Sequence, residues 1–215
     1  PKLGAMVSTN QSAFIAGRCI HDNFLLVQQT ARLLHNLKSP RMLLKLDIAR
    51  AFDSVSWPFL LETLRHLGFG RRWRDWISIL LSTASTRVLI NGQPGPPIDH
   101  ACGLRQGDPV SPMLFTIVID ILNSMLLHAV DLRLLRRLTP RHASSSISLY
   151  ADDVVIFSHP DTHDIRAIRC ILDVFGKASG LCTNIAKCSA SPIRCDEGHV
   201  ATIMSEWPAR SLTSR

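Results

Sequence analysis

At 215 residues the chain is long enough to bury a core, and 46% hydrophobic against 19% charged residues excludes a disordered polymer. A formal net charge of +7 and a pI near 9.5 favour a polyanionic partner, although a solvated basic surface has the same signature. Six scattered cysteines with no C-x2-C pair argue against a zinc finger and for free thiols in a reducing compartment, nucleus or cytoplasm.

In chain order, Asp22 to Leu37 places Phe24, Leu25, Val27, Leu33, Leu34 and Leu37 on a helical face that stops before Pro40. The nearly all-apolar run 42–48 is a strand with Asp47 near its end. Ser56 caps a helix with Trp57-Pro58 in its first turn and Gly68 as its stop. Arg71 to Ser82 is a second such helix, with Trp73, Trp76, Ile77, Leu80 and Leu81 as its inner stripe. Thr86 to Asn91 alternates like a strand and turns at Asn91-Gly92, while Pro94, Pro96 and Pro97 confine the returning arm to an edge or a loop.

Pro109 and Pro112 open a helix that runs to Val130; its Asp120, Asn123 and His128 make it a core helix and not a membrane span. A basic segment over 131–145, with Arg133, Arg136, Arg137 and Arg141, ends in Ser144-Ser145-Ser146. Strand-like runs at 146–149 and 154–157 flank a tight turn, and Asp161 to Ser179 form a helix stopped at Gly180. From Cys195 onward hydrophobic periodicity is lost, so 196–215 is expected to be a frayed tail. The set predicts an α+β fold with helices packed on one face of a small antiparallel sheet.

Tyr150-Ala151-Asp152-Asp153 occupies the turn between the two short strands. Regular alternation sends neighbouring carboxylates to opposite faces, but a turn lets both converge on one cation. Alone, the tetrapeptide reads equally as an Asp-rich turn. Asp47, in an apolar strand that disfavours an unpaired charge, changes the balance; its competing role is a helix N-cap. If its strand lies beside the hairpin, three carboxylates meet at one sheet edge. That cluster suits a pair of Mg2+ ions about 3.5–4 Å apart, clamping the attacking and leaving oxygens of a phosphoryl transfer. Between the two Asp motifs, Gly103 to Pro112 holds Arg105, Gln106, Gly107 and Asp108 in a Gly- and Pro-rich run, a loop able to approach a ligand closely. No Ser-His-Asp or Cys-His nucleophile set is present, and Cys182, Cys188, Cys195 and His199 fit no standard zinc spacing.

These residues resemble a polymerase palm, specifically that of the reverse transcriptase family. Leu46-Asp47-Ile48-Ala49-Arg50-Ala51-Phe52-Asp53-Ser54-Val55, Gly103 to Pro112 and Tyr150-Ala151-Asp152-Asp153 are similar to its three catalytic motifs, in order. Gly180 to Cys188 resembles the element that follows them. Asn10 to Asn23 resembles the fingers segment of non-LTR (LINE-type) retroelements, with a flavour of plant elements. The resemblance covers roughly residues 10–195. It implies a reverse transcriptase domain over 1–195, beginning at the second fingers block and stopping before a thumb.

The resemblance also implies roles. Asp47, Asp152 and Asp153 hold two Mg2+ ions, with Mn2+ as a substitute, and the backbone near Ile48 helps hold the triphosphate. Phe52 sits under the incoming sugar and rejects a 2′-hydroxyl, or is plain core. Gln106 and Gly107 approach the nascent pair; Lys187 protonates pyrophosphate, or is a solvated lysine; Arg18 touches template or nucleotide, or is an exposed loop arginine. Implied partners are an RNA template, a DNA primer and dNTPs, with no membrane, and with an endonuclease and a thumb in cis. The chain starts at Pro1 with no leader pattern, as a piece of a longer protein would. Two other readings stand beside the polymerase: a non-catalytic remnant that binds nucleic acid weakly, and a palm-fold nucleotide cyclase, which the Gly103 to Pro112 loop and Phe52 disfavour.

Overall fold

Met42, Leu44 and Leu46 alternate with Leu43 and Lys45 along one extended run, and this period of two decides where the core lies. The computed structural model describes residues 3–138, 147–208 and 210–211. The chain passes through α1 (Leu3–Met6), α2 (Ile20–Asn36), β1 (Arg41–Leu46), α3 (Ala51–Ser54), α4 (Trp57–His66) and α5 (Arg71–Ser82). Four two-residue strands follow, β2 (Ser85–Thr86), β3 (Leu89–Ile90), β4 (Gln93–Pro94) and β5 (Ile98–Asp99), and then the long α6 (Ser111–Asp131). The second half holds β6 (Ile147–Tyr150), β7 (Asp153–Ser158), α7 (Thr162–Ser179), a 3-10 turn (Ile185–Lys187), β8 (Ser189–Ile193), α8 (Glu197–Glu206) and β9 (Arg210–Ser211). Arg141 and the Ser144-Ser145-Ser146 run lie outside the described residues.

The main sheet has the order β6-β7-β1-β8-β9 and is antiparallel except between β8 and β9. Leu44 of β1 faces Ile156 of β7 on one side and Ala190 of β8 on the other. These side chains, with Met42, Leu46, Leu149 and Val154, meet Phe115, Ile119 and Leu122 of α6 and Ile168 and Phe175 of α7 in the principal core. Burying each such aliphatic side chain contributes roughly 1.5–3 kcal/mol. The opposite face presents Leu43, Val155 and Phe157, which Val27, Ala31 and Leu34 of α2 cover together with Leu138. Helices therefore lie on both faces of the sheet, a correction to the one-face packing expected from sequence. The reason is that β1 and β7 are apolar on both sides along the half of their length farthest from the hairpin turn.

Local chemistry sets the helix ends. The Ser56 hydroxyl accepts the Phe59 N–H at the start of α4, with proline in the first turn. Asn91 and Gly92, with φ of 49° and 81°, make the two-residue turn between β3 and β4. On α5 only Ile77 and Leu81 of the expected stripe are buried; Trp76 and Leu80 are exposed, and Arg72 lies 4.9 Å over the Trp76 ring. Helix α6 is long and apolar enough to cross a membrane by length and composition, yet here it is the central core helix. Its polar residues are engaged: Asp120 accepts the Ser8 N–H at 3.0 Å and the Ser8 hydroxyl, and Asn123 accepts the Asn10 amide at 3.0 Å.

The C-terminal stretch expected to fray is instead built in through Trp207. Asp196 caps α8 by accepting the His199 N–H at 2.8 Å, and Arg166 of α7 grips both carboxylate oxygens of Glu206 at 2.8 and 2.9 Å. Trp207 is fully buried in the principal core. Hydrophobic periodicity missed this helix because α8 buries one of its residues, Ile203, and the anchoring ring comes just after its end. Residues 212–215 lie outside the described set. Trp207→Ala is accordingly expected to cost about 3–5 kcal/mol in a urea unfolding measurement, whereas loss of a frayed tail would leave the midpoint unmoved.

Candidate active site

The β6–β7 hairpin closes on the pair Tyr150↔Asp153, so Ala151 and Asp152 are its two turn residues, with Ala151 in the left-handed region at φ 53°. The last pair between β1 and β7 is Leu46↔Val154, and one step further the register sets Asp47 opposite Asp153. Leu46 and Val154 point into the core, so Asp47 and Asp153 point together to the other face. Asp47 is half-buried, and Asp152 and Asp153 are exposed. Carboxylates facing one another across a strand pair repel. Lys45, on the same face as both, reaches Asp153 with an Nζ–Oδ1 distance of 3.3 Å.

Backbone contacts hold Asp47 from the far side. Its N–H donates to the Cys188 sulfur at 3.4 Å, and its carbonyl accepts the Asn184 N–H at 2.8 Å. The Cys188 thiol in turn donates to the Asn184 carbonyl at 3.2 Å, and burial pushes its pKa up, so it stays a neutral thiol. Ile48 forms an isolated antiparallel bridge with Thr183, and the Ala49 N–H donates to the Cys182 carbonyl at 2.9 Å. Arg50 then takes a left-handed conformation (φ 51°, ψ 34°) that swings the chain out of the sheet into α3.

The turn from Arg50 to Ser56 is clamped between two glycines. A Cβ on Gly103 would lie 2.5 Å from the Asp53 carbonyl oxygen, and one on Gly180 would overlap the Ser54 carbonyl oxygen. Both glycines have positive φ, 85° and 82°. Across these contacts the Gly103 N–H donates to Val55 at 2.8 Å, the Leu104 N–H to Phe52 at 2.7 Å, and the Ser56 N–H to Ser179 at 2.7 Å. Trp57 Nε1 donates to the Gly103 carbonyl at 2.7 Å. The close approach expected of the Gly103 loop toward a ligand is, at Gly103, an approach to protein backbone. Gly107 differs: at φ 91° it has nothing near its missing side chain, and it is exposed beside Gln106. Gln106, Arg105 and Asp53 line an open groove of about 680 Å³.

The remaining predicted residues are placed as follows. Phe52 is half-buried, stacked on Phe115 with ring centroids 4.4 Å apart, and met edge-on by the exposed Phe14 at 6.5 Å. Lys187 is exposed on the 3-10 turn, three residues beyond the Asn184 that holds Asp47. Arg18 turns its guanidinium onto the carbonyls of Gly4, Ser8 and Gln11, bracing the N-terminal segment. That segment is fastened directly to the hairpin: Leu149 of β6 donates to Asn10, accepts from Ser12, and accepts the Asn23 amide at 2.6 Å.

The three aspartates gather at one end of the sheet but do not close into a tight cluster. Among the described residues, the set of three metal-ligand side chains with atoms all within 4.8 Å of one another is Asp161, His163 and Asp164 at the start of α7. There Asp161 caps the helix, and Arg136 pairs with both Asp161 and Asp164, so those charges are already met. Sequence reasoning passed over Lys45. Its signal was a lone lysine two residues before Asp47 in an apolar strand, hence on the same face.

The profile of one family, Reverse transcriptase (RNA-dependent DNA polymerase), matches residues 2–197. The chain is 27% identical over 195 residues to the Transposon TX1 uncharacterized 149 kDa protein of Xenopus laevis, covering 87% of this chain and 14% of that protein. It is 28% identical over 168 residues to a Retrovirus-related Pol polyprotein from type-1 retrotransposable element R2 of Popillia japonica, covering 78% of this chain and 27% of that one. It is 27% identical over 203 residues to the type-2 element R2DM polyprotein of Drosophila melanogaster, 90% and 18% respectively. The chain thus spans between about a seventh and about a quarter of these relatives' lengths. They come from a frog, a beetle and a fly, so the plant-like affinity is not borne out. In fold, the chain is similar to apo telomerase from Candida tropicalis (TM-score 0.63, 13% identity, 91% of this chain and 39% of that one). It is also similar to telomerase from Candida albicans in complex with a fragment of telomeric RNA (TM-score 0.59, 12% identity, 83% and 31%).

The clamp makes the two positive-φ glycines unequal. Gly180→Ala is expected to destabilise the chain by about 3 kcal/mol or more, since both backbone strain and a clash with Ser54 must be relieved. Gly107→Ala should cost only about 1–2 kcal/mol, the strain alone. Paired denaturant melts measure the difference; equal losses would mean that the turn shifts freely.

Proposed function

We propose that this chain, which belongs to the reverse transcriptase (RNA-dependent DNA polymerase) family, holds the nucleotidyl-transfer centre of a non-LTR retroelement polymerase at the β6–β7 turn and the end of β1. The observation that carries the reading is the register: it sets Asp47 opposite Asp153, with Asp152 in the adjoining turn. Carboxylate oxygens are hard donors suited to Mg2+ or Mn2+, and two like charges on one face need a cation between them, so the residues fit a divalent metal site. Two such ions held by Asp47, Asp152 and Asp153 would acidify a primer 3′-hydroxyl and neutralise the pyrophosphate leaving group.

The chain's own residues do the rest of the work. Phe52, held by its stack on Phe115, fills the space of a 2′-hydroxyl and so prefers dNTPs. The backbone from Ile48 to Phe52, tied to Cys182, Thr183 and Leu104, holds the triphosphate. Gln106 and Gly107, on the exposed loop before α6, face the nascent pair. Lys187 donates a proton to the departing pyrophosphate. Arg18 acts at one remove, by bracing the segment that carries Phe14. An RNA template and a DNA primer are the partners, which agrees with the +7 charge. The relatives are polyproteins several times longer than this chain, so an endonuclease and a thumb in cis belong to the same proposal. All six cysteines are free thiols, which supports a reducing compartment, nucleus or cytoplasm.

Primer extension on an RNA template with Mg2+, using this chain or a longer polypeptide that contains it, tests the reading. Asp47→Asn or Asp152→Asn should lower the rate at least about 100-fold without loss of folding. Extension that survives both substitutions would end the assignment. Phe52→Val should reduce the preference for dNTPs over rNTPs roughly tenfold or more while dNTP incorporation persists. That ratio is read within one preparation, so a stability loss does not confound it.

A further inference from the structure

We propose that Lys45 is the built-in counter-ion of the Asp47–Asp153 pair and competes with divalent cations for it, so that Lys45 sets the metal affinity of the site; this rests on reading those aspartates as metal ligands. Position is the first argument. β1 is buried or half-buried at Met42, Leu43, Leu44 and Leu46, and Lys45 is its one exposed residue. Strand alternation puts Lys45 and Asp47 on the same face, and the register puts Lys45 opposite Val155, one diagonal step from Asp153. The ammonium lies 3.3 Å from Asp153 Oδ1.

Energetics is the second argument. The Lys45 and Asp153 side chains are 57% and 62% exposed, and a pair that wet adds little to fold stability. Its main effect is local: a single positive charge offsets the repulsion between two facing carboxylates while no other cation is there. The same charge opposes an arriving divalent ion. Through a water-like dielectric, a unit charge some 6–7 Å from a divalent one weakens its binding about eight- to tenfold without screening and about two- to threefold at physiological salt. Lys45 is therefore a positioning residue: it orients the Asp153 carboxylate and offsets its charge before metal arrives, and yields when metal binds.

The test titrates the 215-residue chain with Mn2+ and with Mg2+, reading affinity by calorimetry and the metal-induced rise in Tm. Lys45→Gln should bind Mn2+ tighter than wild type, by up to about tenfold at low salt and about two- to threefold at physiological salt, and show a larger metal-induced rise in Tm. Lys45→Arg, which keeps the charge, should match wild type. Asp47→Asn should bind weakly whatever stands at position 45. Unchanged or weaker binding in Lys45→Gln, with wild-type binding that depends on Asp47, overturns the role of Lys45 and leaves the active-site reading standing. If wild type binds neither ion, or if Asp47→Asn makes no difference, both are overturned.

Discussion

The backbone between Arg50 and Ser56 has no room beside it for two Cβ atoms, and the arrangement of the site follows from that restriction. Gly103 presses on Asp53 from the loop before α6, and Gly180 presses on Ser54 from the end of α7. Four backbone or indole hydrogen bonds cross these two contacts. The strand carrying Asp47, the loop carrying Gln106 and the helix leading to Lys187 are thereby fixed to one short turn. A side chain at either glycine separates at least two of them.

Electrostatics acts on that frame. At the open end of the sheet, the register extended one step past Leu46↔Val154 sets Asp47 opposite Asp153, and Lys45 supplies the charge that makes the arrangement tolerable without a metal. On the protein side of Asp47 the ladder between β1 and β8 ends at Lys45↔Ser189. Beyond it, the Cys188 sulfur and the Asn184 N–H take over the pairing of the Asp47 backbone. A neutral buried thiol suits this task, since a charged group so close would disturb the carboxylate. The Asp47 backbone is rigidly held while its side chain stays half-exposed.

Polar residues inside the core do a second job. Asp120 and Asn123 of α6 are buried, and both are bonded to the segment at Ser8 and Asn10. The same segment pairs with Leu149, two residues before Ala151 of the β6–β7 turn. An N-terminal stretch with little regular structure of its own is in this way docked against β6.

Legible in the sequence alone were the parts governed by short-range rules. The apolar strand leading to Asp47, the turn at Ala151-Asp152, the Ser56 cap, the Asn91-Gly92 hairpin and the stop at Gly180 each follow from the preferences of neighbouring residues. The three motifs and their order, which pointed to the family, are local patterns too. Other features were decided by tertiary structure, because they join residues far apart in the chain. Helix α2 covers a second apolar sheet face that exists only once β1 and β7 pair. Trp207 finds its place only when α7 and α8 pack together. Gly180 reads locally as a helix stop, but the carbonyl that forbids its side chain belongs to Ser54. Lys45 reads as an isolated charge until the register brings Asp153 within 3.3 Å. Side-chain preference acts over a few residues, whereas a clash or an ion pair needs both partners in place, and only the folded chain brings them there.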